Sequence, residues 1–235
     1  MELKRFYGSK LGNQIVLTDR EYFHCIKVTR HKAGYSLICC TGDGNDYFCN
    51  ISAIKDEIVY CDIVNIVKND SEPKGKIVLC QALCKEFDFV VQKAVELGVT
   101  DIVPYVSERT NVKKYSKERT ESIVLDAAKQ CGRAVLPCVY DLKEFDEILE
   151  EYKNFDNKIF CYELERIKSI DSAIAKPDGT TVIFVGSEGG FSEEEVKEAT
   201  VLGYNIVTLG RRILRVETAA ISAIVLLLNA VGDIC

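Results

Sequence analysis

The stretch VIFVGSEGGFSEEE, residues 182–195, contains an apolar strand-like run, a loop with three glycines and the start of a helix. A second stretch of the same kind, LGRRILRVETA at 209–219, also lies between an apolar strand-like segment and an apolar helix-like segment. In open parallel sheets, ligands bind beyond the carboxyl ends of the strands. The two loops therefore predict a ligand site at strand ends. Ordinary tight turns between strand and helix are the alternative.

A polar segment divides the rest of the chain into two regions. KNDSEPKGK at 68–76 combines Asn, Asp, Ser, Pro and Gly, which is typical of a linker. Before it, short β-branched and aromatic runs predict a β domain over residues 1–70, with one helical segment near 19–30. After it, strands alternate with helices over 71–235, which predicts a mostly parallel sheet covered by helices. Ser192 and Glu195 fit a capping box at one helix start.

Composition limits the class of protein. The chain has 235 residues, and no apolar run reaches the roughly 18 residues needed to span a bilayer. The N-terminal segment MELKRFYGSK has no apolar core of the kind that secretory signals carry, so we expect a cytoplasmic protein. Eleven cysteines without a C-x-x-C pair, and only two histidines, favour buried reduced thiols over a metal site. We expect no bound metal.

Charge is segregated along the chain. The net charge of −6 argues against a protein that coats nucleic acid indiscriminately. Residues 109–133 nevertheless hold seven Lys/Arg and three Asp/Glu, whereas residues 141–200 hold sixteen Asp/Glu and seven Lys/Arg. The basic block is a candidate RNA-binding face, and an ordinary solvated face is the alternative.

The chemistry of the first loop restricts its ligand. Neither G-x-G-x-x-G nor G-K-[ST] is present, so the two common phosphate-binding fingerprints are missing. Glu188 and Glu193–Glu195 crowd a helix N-terminus where a phosphate would otherwise bind. S-adenosylmethionine carries a sulfonium, an ammonium and no phosphate, so it suits this loop better than NAD or ATP. We expect the loop glycines to let the backbone approach the ligand: Gly186, Gly189, Gly190 and Gly210.

The two stretches resemble the I-G-P-E-G-G-F-S and L-G-x-R-I-L-R-x-E-T-A motifs of the RsmE-type family. Its members are the small-subunit (16S) ribosomal RNA uridine N3-methyltransferases of the SPOUT class. The resemblance covers nearly the whole chain, because four further segments resemble family motifs in the same order: KRFY near the start, HCIKVTRHKAG at 24–34, QKAVELGV at 92–99 and AAKQCGR at 127–133. Ser187 replaces the usual proline, and we expect this to loosen the loop.

The resemblance implies properties that the residue patterns alone do not. The fold would be a SPOUT-type α/β domain, a parallel sheet with a C-terminal trefoil knot, preceded by a PUA-like β-barrel that docks RNA. The cofactor would be S-adenosyl-L-methionine, the assembly a homodimer, and the substrate 16S ribosomal RNA within an assembled small subunit. Two alternatives are a related SPOUT enzyme acting on tRNA or another rRNA position, and a non-catalytic ribosome-binding protein.

The expected chemistry assigns roles to the charged residues of the second loop. Uracil N3 is protonated in the neutral base, so a methyltransferase must remove this proton and stabilise the charge on O2 and O4. We expect Arg215, with Arg212, to stabilise that charge and Glu217 to accept the proton. Glu188 is the alternative acceptor, and Glu217 in turn has a purely structural alternative as support for the last helix.

Further residues complete the predicted sites. We expect Leu209, Gly210, Ile213 and Leu214 to enclose the adenine, so the whole predicted cofactor set is Gly186, Glu188, Gly189, Gly190, Leu209, Gly210, Arg212, Ile213, Leu214 and Thr218. The RNA-binding candidates are Arg5, Arg30, Lys93 and Arg133. For each of these four cations, an ordinary surface position is the alternative.

Overall fold

The computed structural model describes residues 3–234, and the chain forms two compact units. The first unit ends at Glu72 and also includes Ala128–Leu136, while the second begins at Pro73 and contains the remainder. The change at Glu72 lies inside the segment 68–76 that the sequence indicates as a linker. Inclusion of Ala128–Leu136 in the first unit has no counterpart in the sequence pattern. The division at residues 70 and 71 therefore stays a prediction.

The first unit is built on a six-stranded sheet with the order β1-β4-β5-β6-β3-β2. Its strands are β1 (Arg5–Tyr7), β2 (Ser9–Leu11), β3 (Gln14–Leu17), β4 (Ser36–Cys40), β5 (Asn45–Lys55) and β6 (Ile58–Lys68). β1 pairs with β4 in parallel, and the other pairs are antiparallel. Among the described residues no pairing joins β1 to β2, so the sheet is a curled half-barrel, which agrees in part with the predicted PUA-like β-barrel. The predicted helical segment is α1 (Asp19–Phe23), followed by a π-helical turn at His24–Val28.

The core of the first unit explains much of the cysteine content. Cys25, Cys39, Cys49 and Cys61 are buried among apolar side chains such as Phe6. Buried thiols of this kind pack as small apolar groups. The prediction of buried thiols is confirmed for eight of the ten cysteines that the structure describes, while Cys131 is half-buried and Cys138 exposed; Cys235 lies outside the described residues.

The second unit contains a parallel sheet, as the alternating pattern predicts. Its strands are β7 (Ile77–Ala82), β8 (Asp101–Val106), β9 (Cys138–Val139), β10 (Lys143–Glu144), β11 (Asn157–Cys161), β12 (Thr181–Val185) and β13 (Asn205–Val207). The order is β10-β8-β7-β12-β11-β13, with β9 beside β8. β9 and β10 escape sequence reasoning because two residues are too short to show a period.

The helices of the second unit follow the predicted segments. They are α2 (Phe87–Glu96), α3 (Lys117–Cys131, whose last residues belong to the first unit), α4 (Phe145–Tyr152), α5 (Glu193–Val201) and α6 (Val216–Ala230). The predicted capping box at α5 is confirmed, because Ser192 and Glu195 exchange side chain-to-backbone hydrogen bonds. α4 packs its apolar face into an aromatic core that includes Phe160, Phe184 and Phe191. Within residues 3–234, every helix is too short or too polar to cross a membrane.

Candidate active site

A cavity of about 550 Å³ lies in the second unit, at the carboxyl ends of the neighbouring parallel strands β7, β12, β11 and β13. This is the edge at which open parallel sheets bind ligands, and the volume suits a small molecule. Eleven residues of the predicted catalytic and cofactor sets line it together: Gly186, Glu188, Gly189, Gly190, Leu209, Gly210, Arg212, Ile213, Leu214, Arg215 and Glu217. Thr218 is exposed and does not line the cavity.

The first glycine loop, residues 186–191, is held by its own hydrogen bonds. The hydroxyl of Ser187 donates to the carbonyl of Arg109 at 3.0 Å and accepts from the N–H of Gly189 at 3.3 Å. The N–H of Gly190 donates to the carbonyl of Ser187 at 3.0 Å. Because Ser187 is buried and bonded on both sides, it fixes the loop. The expectation that serine in place of proline loosens the loop stays a prediction.

The glycines of this loop are required mainly by contacts within the protein. A Cβ on Gly189 would lie 2.8 Å from the carbonyl oxygen of Arg109. At Gly190 the φ of +66° favours glycine, and a Cβ would also displace the carboxylate of Glu163. A Cβ on Gly186 would press on the ring of Phe191 at 3.1 Å. Only Gly210, in the second loop, meets no protein atom there, and its φ of +116° favours glycine. The expectation that a glycine lets the backbone approach the ligand therefore fits Gly210 best.

The two candidate proton acceptors lie near a common thiol. Oε1 of Glu188 accepts a hydrogen bond from the N–H of Lys85 at 2.9 Å, which ties the loop to the segment after β7. Burial raises the pKa of the Cys84 thiol to about 12, and the negative charges of Glu188 and Glu217 contribute to that increase. Both carboxylates are therefore close enough to this buried thiol to influence it electrostatically.

The second loop, residues 208–215, presents the arginines. Arg215 is the N-cap residue of α6, and its side chain makes no capping hydrogen bond. Arg212 and Arg215 are exposed, and Glu217 is half-buried in the first turn of the helix. Within residues 3–234, neither Arg215 nor Glu217 forms an ion pair. The loop between β13 and α6 therefore carries charged side chains that are available to a ligand.

The acidic surroundings of the site differ in detail from the prediction. Glu193 and Glu194 are exposed and do not line the cavity, and Glu195 is occupied by the capping box and by the N–H of Glu108. Glu188 does line it, as predicted. Three further carboxylates that line the cavity supply the negative charge: Glu86, Glu163 and Glu217. Because Lys85, Arg212 and Arg215 line the same cavity, the expected repulsion of phosphate stays a prediction.

Sequence reasoning missed the contribution of two other strand ends. Tyr162 and Glu163 follow β11, and Lys85 and Glu86 follow β7; all four line the cavity. Ligands bind at the carboxyl ends of parallel strands, so the strand order, had it been known, would have indicated these four residues.

Gln81 of β7 is another residue that the sequence analysis missed. Its buried side-chain amide donates to the carbonyls of Ala82 at 2.9 Å and Gly186 at 3.3 Å. Its Oε1 atom is buried and has no hydrogen-bond partner among the residues that the structure describes. Gln81 therefore links β7 to the first residue of the glycine loop. Within residues 3–234, no group of three His, Cys, Asp or Glu side chains is arranged to hold a metal ion.

The four RNA-binding candidates differ in exposure. Arg5 is paired with Asp46, and Arg133 is 2% exposed and paired with Glu72 at 2.5 Å. Both guanidinium groups are therefore engaged in ion pairs, which argues against direct RNA contact. Lys93 pairs with Glu96 on α2 at 2.8 Å and is partly exposed. Arg30 is exposed, with a left-handed backbone at φ +56°.

The fold and the cavity define an α/β protein with a small-molecule site at parallel strand ends and a separate β unit. A family model described as an RNA methyltransferase domain matches residues 70–228, and one described as an RNA methyltransferase PUA domain matches residues 17–64. The chain belongs to the ribosomal RNA small subunit methyltransferase E family. It is 34% identical to the Mesomycoplasma hyopneumoniae member, with 92% of this chain and 94% of that protein aligned.

Two further comparisons agree. The Bacillus subtilis ribosomal RNA small subunit methyltransferase E is 30% identical, over 88% of this chain and 87% of that protein. The crystal structure of a ribosomal RNA small subunit methyltransferase E from Neisseria gonorrhoeae, bound to S-adenosyl methionine, has a TM-score of 0.88 and 31% identity. That comparison covers 97% of this chain and 98% of the other. The resemblance stated from the sequence motifs is confirmed.

Proposed function

We propose that this protein transfers a methyl group from S-adenosyl-L-methionine to N3 of a uridine in 16S ribosomal RNA. The observation that carries the proposal is the cavity at the four strand ends, which Arg215, Glu188 and Glu217 line together. The names of the relatives supply the substrate class. The bound cofactor of the Neisseria gonorrhoeae structure supports the choice of methyl donor.

The residues present fit S-adenosylmethionine. The cavity has the volume of a small-molecule site and contains apolar walls from Leu209 and Leu214. Gly210 keeps its side of the cavity open, because a Cβ there would point into empty space. The carboxylates of Glu163 and Glu188 suit a ligand with a sulfonium and an ammonium, and they oppose a phosphate. Ile213 is 84% exposed at the rim, so it encloses the adenine only if another surface covers it.

The reaction requires a deprotonated uracil. S-adenosylmethionine supplies an electrophilic methyl group when it is bound. The guanidinium of Arg215, with Arg212 on the same loop, stabilises the negative charge that spreads onto O2 and O4 of the base. Burial of the base between the two loops holds N3 in line for transfer.

A carboxylate must accept the N3 proton. Glu217 is our first choice, because it lines the cavity without an ion-pair partner among the described residues. It lies in the first turn of α6, where the helix dipole favours a negative charge. Glu188 is the alternative acceptor, and its Oε1 already accepts the N–H of Lys85. Substitution is needed to separate the two carboxylates.

The resemblance supports four further proposals. The second unit contains a trefoil knot, the protein acts as a homodimer, the substrate is RNA within an assembled small subunit, and the enzyme works in the cytoplasm. The exposure of Ile213 beside the cavity supports the homodimer, since a second subunit would bury an apolar side chain at the rim of the site.

The decisive experiment maps modified nucleosides in ribosomal RNA from cells that lack the gene. We expect loss of one N3-methyluridine from 16S RNA, its return on complementation with the wild-type gene, and no return with Arg215→Ala. Loss of a modification from tRNA, or from another rRNA position, would instead favour the related SPOUT activities. An unchanged set of modifications would favour the non-catalytic alternative.

A further inference from the structure

A row of four aromatic rings crosses the first unit and ends at its surface. Ring centroids are 5.5 Å apart between His24 and Phe6, 5.6 Å between Phe6 and His31, and 5.6 Å between His31 and Tyr35. Phe6 is fully buried, the two histidines are half-buried, and Tyr35 is 50% exposed. The exposed ring of Tyr35 therefore packs against a row of rings that leads to the fully buried ring of Phe6.

The backbone that presents Tyr35 is fixed. The N–H of Ile51 on β5 donates to the Tyr35 carbonyl at 2.9 Å, and the N–H of Tyr35 donates to the carbonyl of Lys32 at 3.1 Å. Nδ1 of the His31 ring lies 2.7 Å from the hydroxyl of Thr29. The backbone N–H of His31 donates to the backbone carbonyl of Cys25 at 3.0 Å. A ring on such a support loses little conformational freedom when a flat ligand stacks on it.

The surroundings of Tyr35 are basic. The side chains of Lys4, Arg30 and Lys32 are exposed, and no Asp or Glu occurs between residues 22 and 42. Burial lowers the pKa of His31, and the nearby ammonium of Lys4 lowers it further. Glu21, the preceding acid in the sequence, is buried and paired with Lys129 at 2.7 Å. The charged side chains of the segment 22–42 are therefore all cations.

We infer that this surface, formed by Lys4, Arg30, His31, Lys32 and Tyr35, binds single-stranded RNA with one base stacked on the Tyr35 ring. Several exposed cations on one segment suit a phosphate backbone, and an exposed, supported aromatic ring suits an unpaired base. Duplex RNA would contact the cations but offers no free base face to the ring. The inference rests on the proposed function, because it names a contact for the RNA that the enzyme modifies.

Stacking is tested with a pair of substitutions at one position. Tyr35→Ala removes the ring, whereas Tyr35→Phe keeps its face and removes only the hydroxyl. Base stacking contributes about 1–3 kcal/mol per base, so Tyr35→Ala should weaken RNA binding about 5- to 150-fold. Tyr35→Phe should bind like the wild type. The control is Leu11→Ala, since Leu11 is 57% exposed in the same unit, on the strand at the other end of the sheet.

The probe is a single-stranded oligoribonucleotide of about 12 nucleotides, within the usual site sizes, with 2-aminopurine at successive positions. Binding to the full-length protein should quench the fluorophore at one position in the wild type and Tyr35→Phe but not in Tyr35→Ala. A stable hairpin should show no such quenching. Charge reversal at Lys32 should lower the salt dependence by about one counterion without removing the quenching.

Several outcomes overturn the inference. They are unchanged RNA affinity in Tyr35→Ala, equal losses in Tyr35→Ala and Tyr35→Phe, or equal quenching with the hairpin. If Tyr35→Ala keeps its affinity for RNA but no longer crosslinks to an acidic protein, the surface binds that protein and not RNA. The proposed function fails separately: a wild-type protein that binds RNA through Tyr35 but methylates none would refute only the methyltransferase activity.

Discussion

The N–H of Lys85 donates a hydrogen bond of 2.9 Å to Oε1 of Glu188, which joins the segment after β7 to the first glycine loop. These residues are 103 positions apart in the sequence, and only the parallel order β7-β12 brings them together. The bond gives Glu188 a structural role beside any chemical one. Substitutions at this position must therefore preserve an acceptor if they are to test basicity.

The first prediction separates the two candidate bases. Glu217→Gln and Glu188→Gln both keep a carbonyl acceptor but lose basicity, so the substitution at the true base should lower turnover strongly. We expect that loss for Glu217→Gln, at unchanged affinity for S-adenosylhomocysteine. The measurement is single-turnover methylation at neutral pH. Glu193→Gln is the control, since Glu193 is exposed outside the cavity. Normal turnover in Glu217→Gln with loss in Glu188→Gln would move the base to the first loop.

The second prediction concerns the cation at the start of α6. Arg215→Ala should lower the methylation rate by about 10²–10³-fold, the usual effect of removing one preorganised donor, with little change in cofactor affinity. Arg215→Lys should restore only part of the rate, because an ammonium lacks the planar fork of a guanidinium. Arg211→Ala is the matched control, since Arg211 lies on the same loop but does not line the cavity. If Arg215→Ala, Arg215→Lys and Arg211→Ala all methylate at the wild-type rate, the arginines of this loop have only a structural role.

The third prediction tests Gln81 as a positioning residue. Gln81→Met keeps the volume but removes the donor to the Gly186 carbonyl, so the loop should be held less firmly. One lost hydrogen bond of this kind corresponds to about a tenfold fall in affinity for S-adenosylhomocysteine, measured by calorimetry. Gln92→Met, the same change at an exposed position on α2, should have no effect. Wild-type affinity in Gln81→Met would leave the bond without a role in the site.

The fourth prediction compares two loop glycines. Gly189→Ala places a methyl group 2.8 Å from a backbone carbonyl, so it should lower the free energy of unfolding even without ligand. Gly210→Ala meets no protein atom but strains the backbone at φ +116°, at a cost of about 1–3 kcal/mol. The added methyl group would also lie in the cavity. For the same loss of unfolding free energy, Gly210→Ala should therefore lower cofactor affinity more than Gly189→Ala does. Thermal denaturation and calorimetry measure both quantities, and the reverse order would contradict the assignment.

The fifth prediction concerns the buried arginine of the first unit. Removing one partner of a buried ion pair typically costs about 3–5 kcal/mol, so Arg133→Ala should destabilise the protein by that order. Arg30→Ala should leave stability unchanged and weaken RNA binding, because Arg30 is exposed. Urea denaturation and RNA titration give the two readouts. Wild-type stability combined with loss of RNA binding in Arg133→Ala would restore it as an RNA contact.

The sequence determined the parts of this protein that depend on local pattern. Period and turn residues indicated a β-rich first region and alternating strands and helices after it, and the capping box of Ser192 and Glu195 followed from their spacing. Both glycine loops were recognisable because each joins a strand to a helix within about a dozen residues. Motif resemblance then identified the family, since the order and chemistry of the matching segments are properties of the chain itself.

Tertiary structure decided what depends on strand order and on burial. The order β7-β12-β11-β13 brings Lys85, Tyr162 and Glu163 to a cavity that the two loops alone do not define. Burial separates cations that look alike in sequence, because Arg133 is enclosed with Glu72 whereas Arg30 is exposed. Packing also gave the loop glycines a reason other than the expected one, since Arg109 and Glu163 occupy the space a side chain would need. These contacts join residues far apart in the chain, and no local pattern records which distant residue will lie beside a given position.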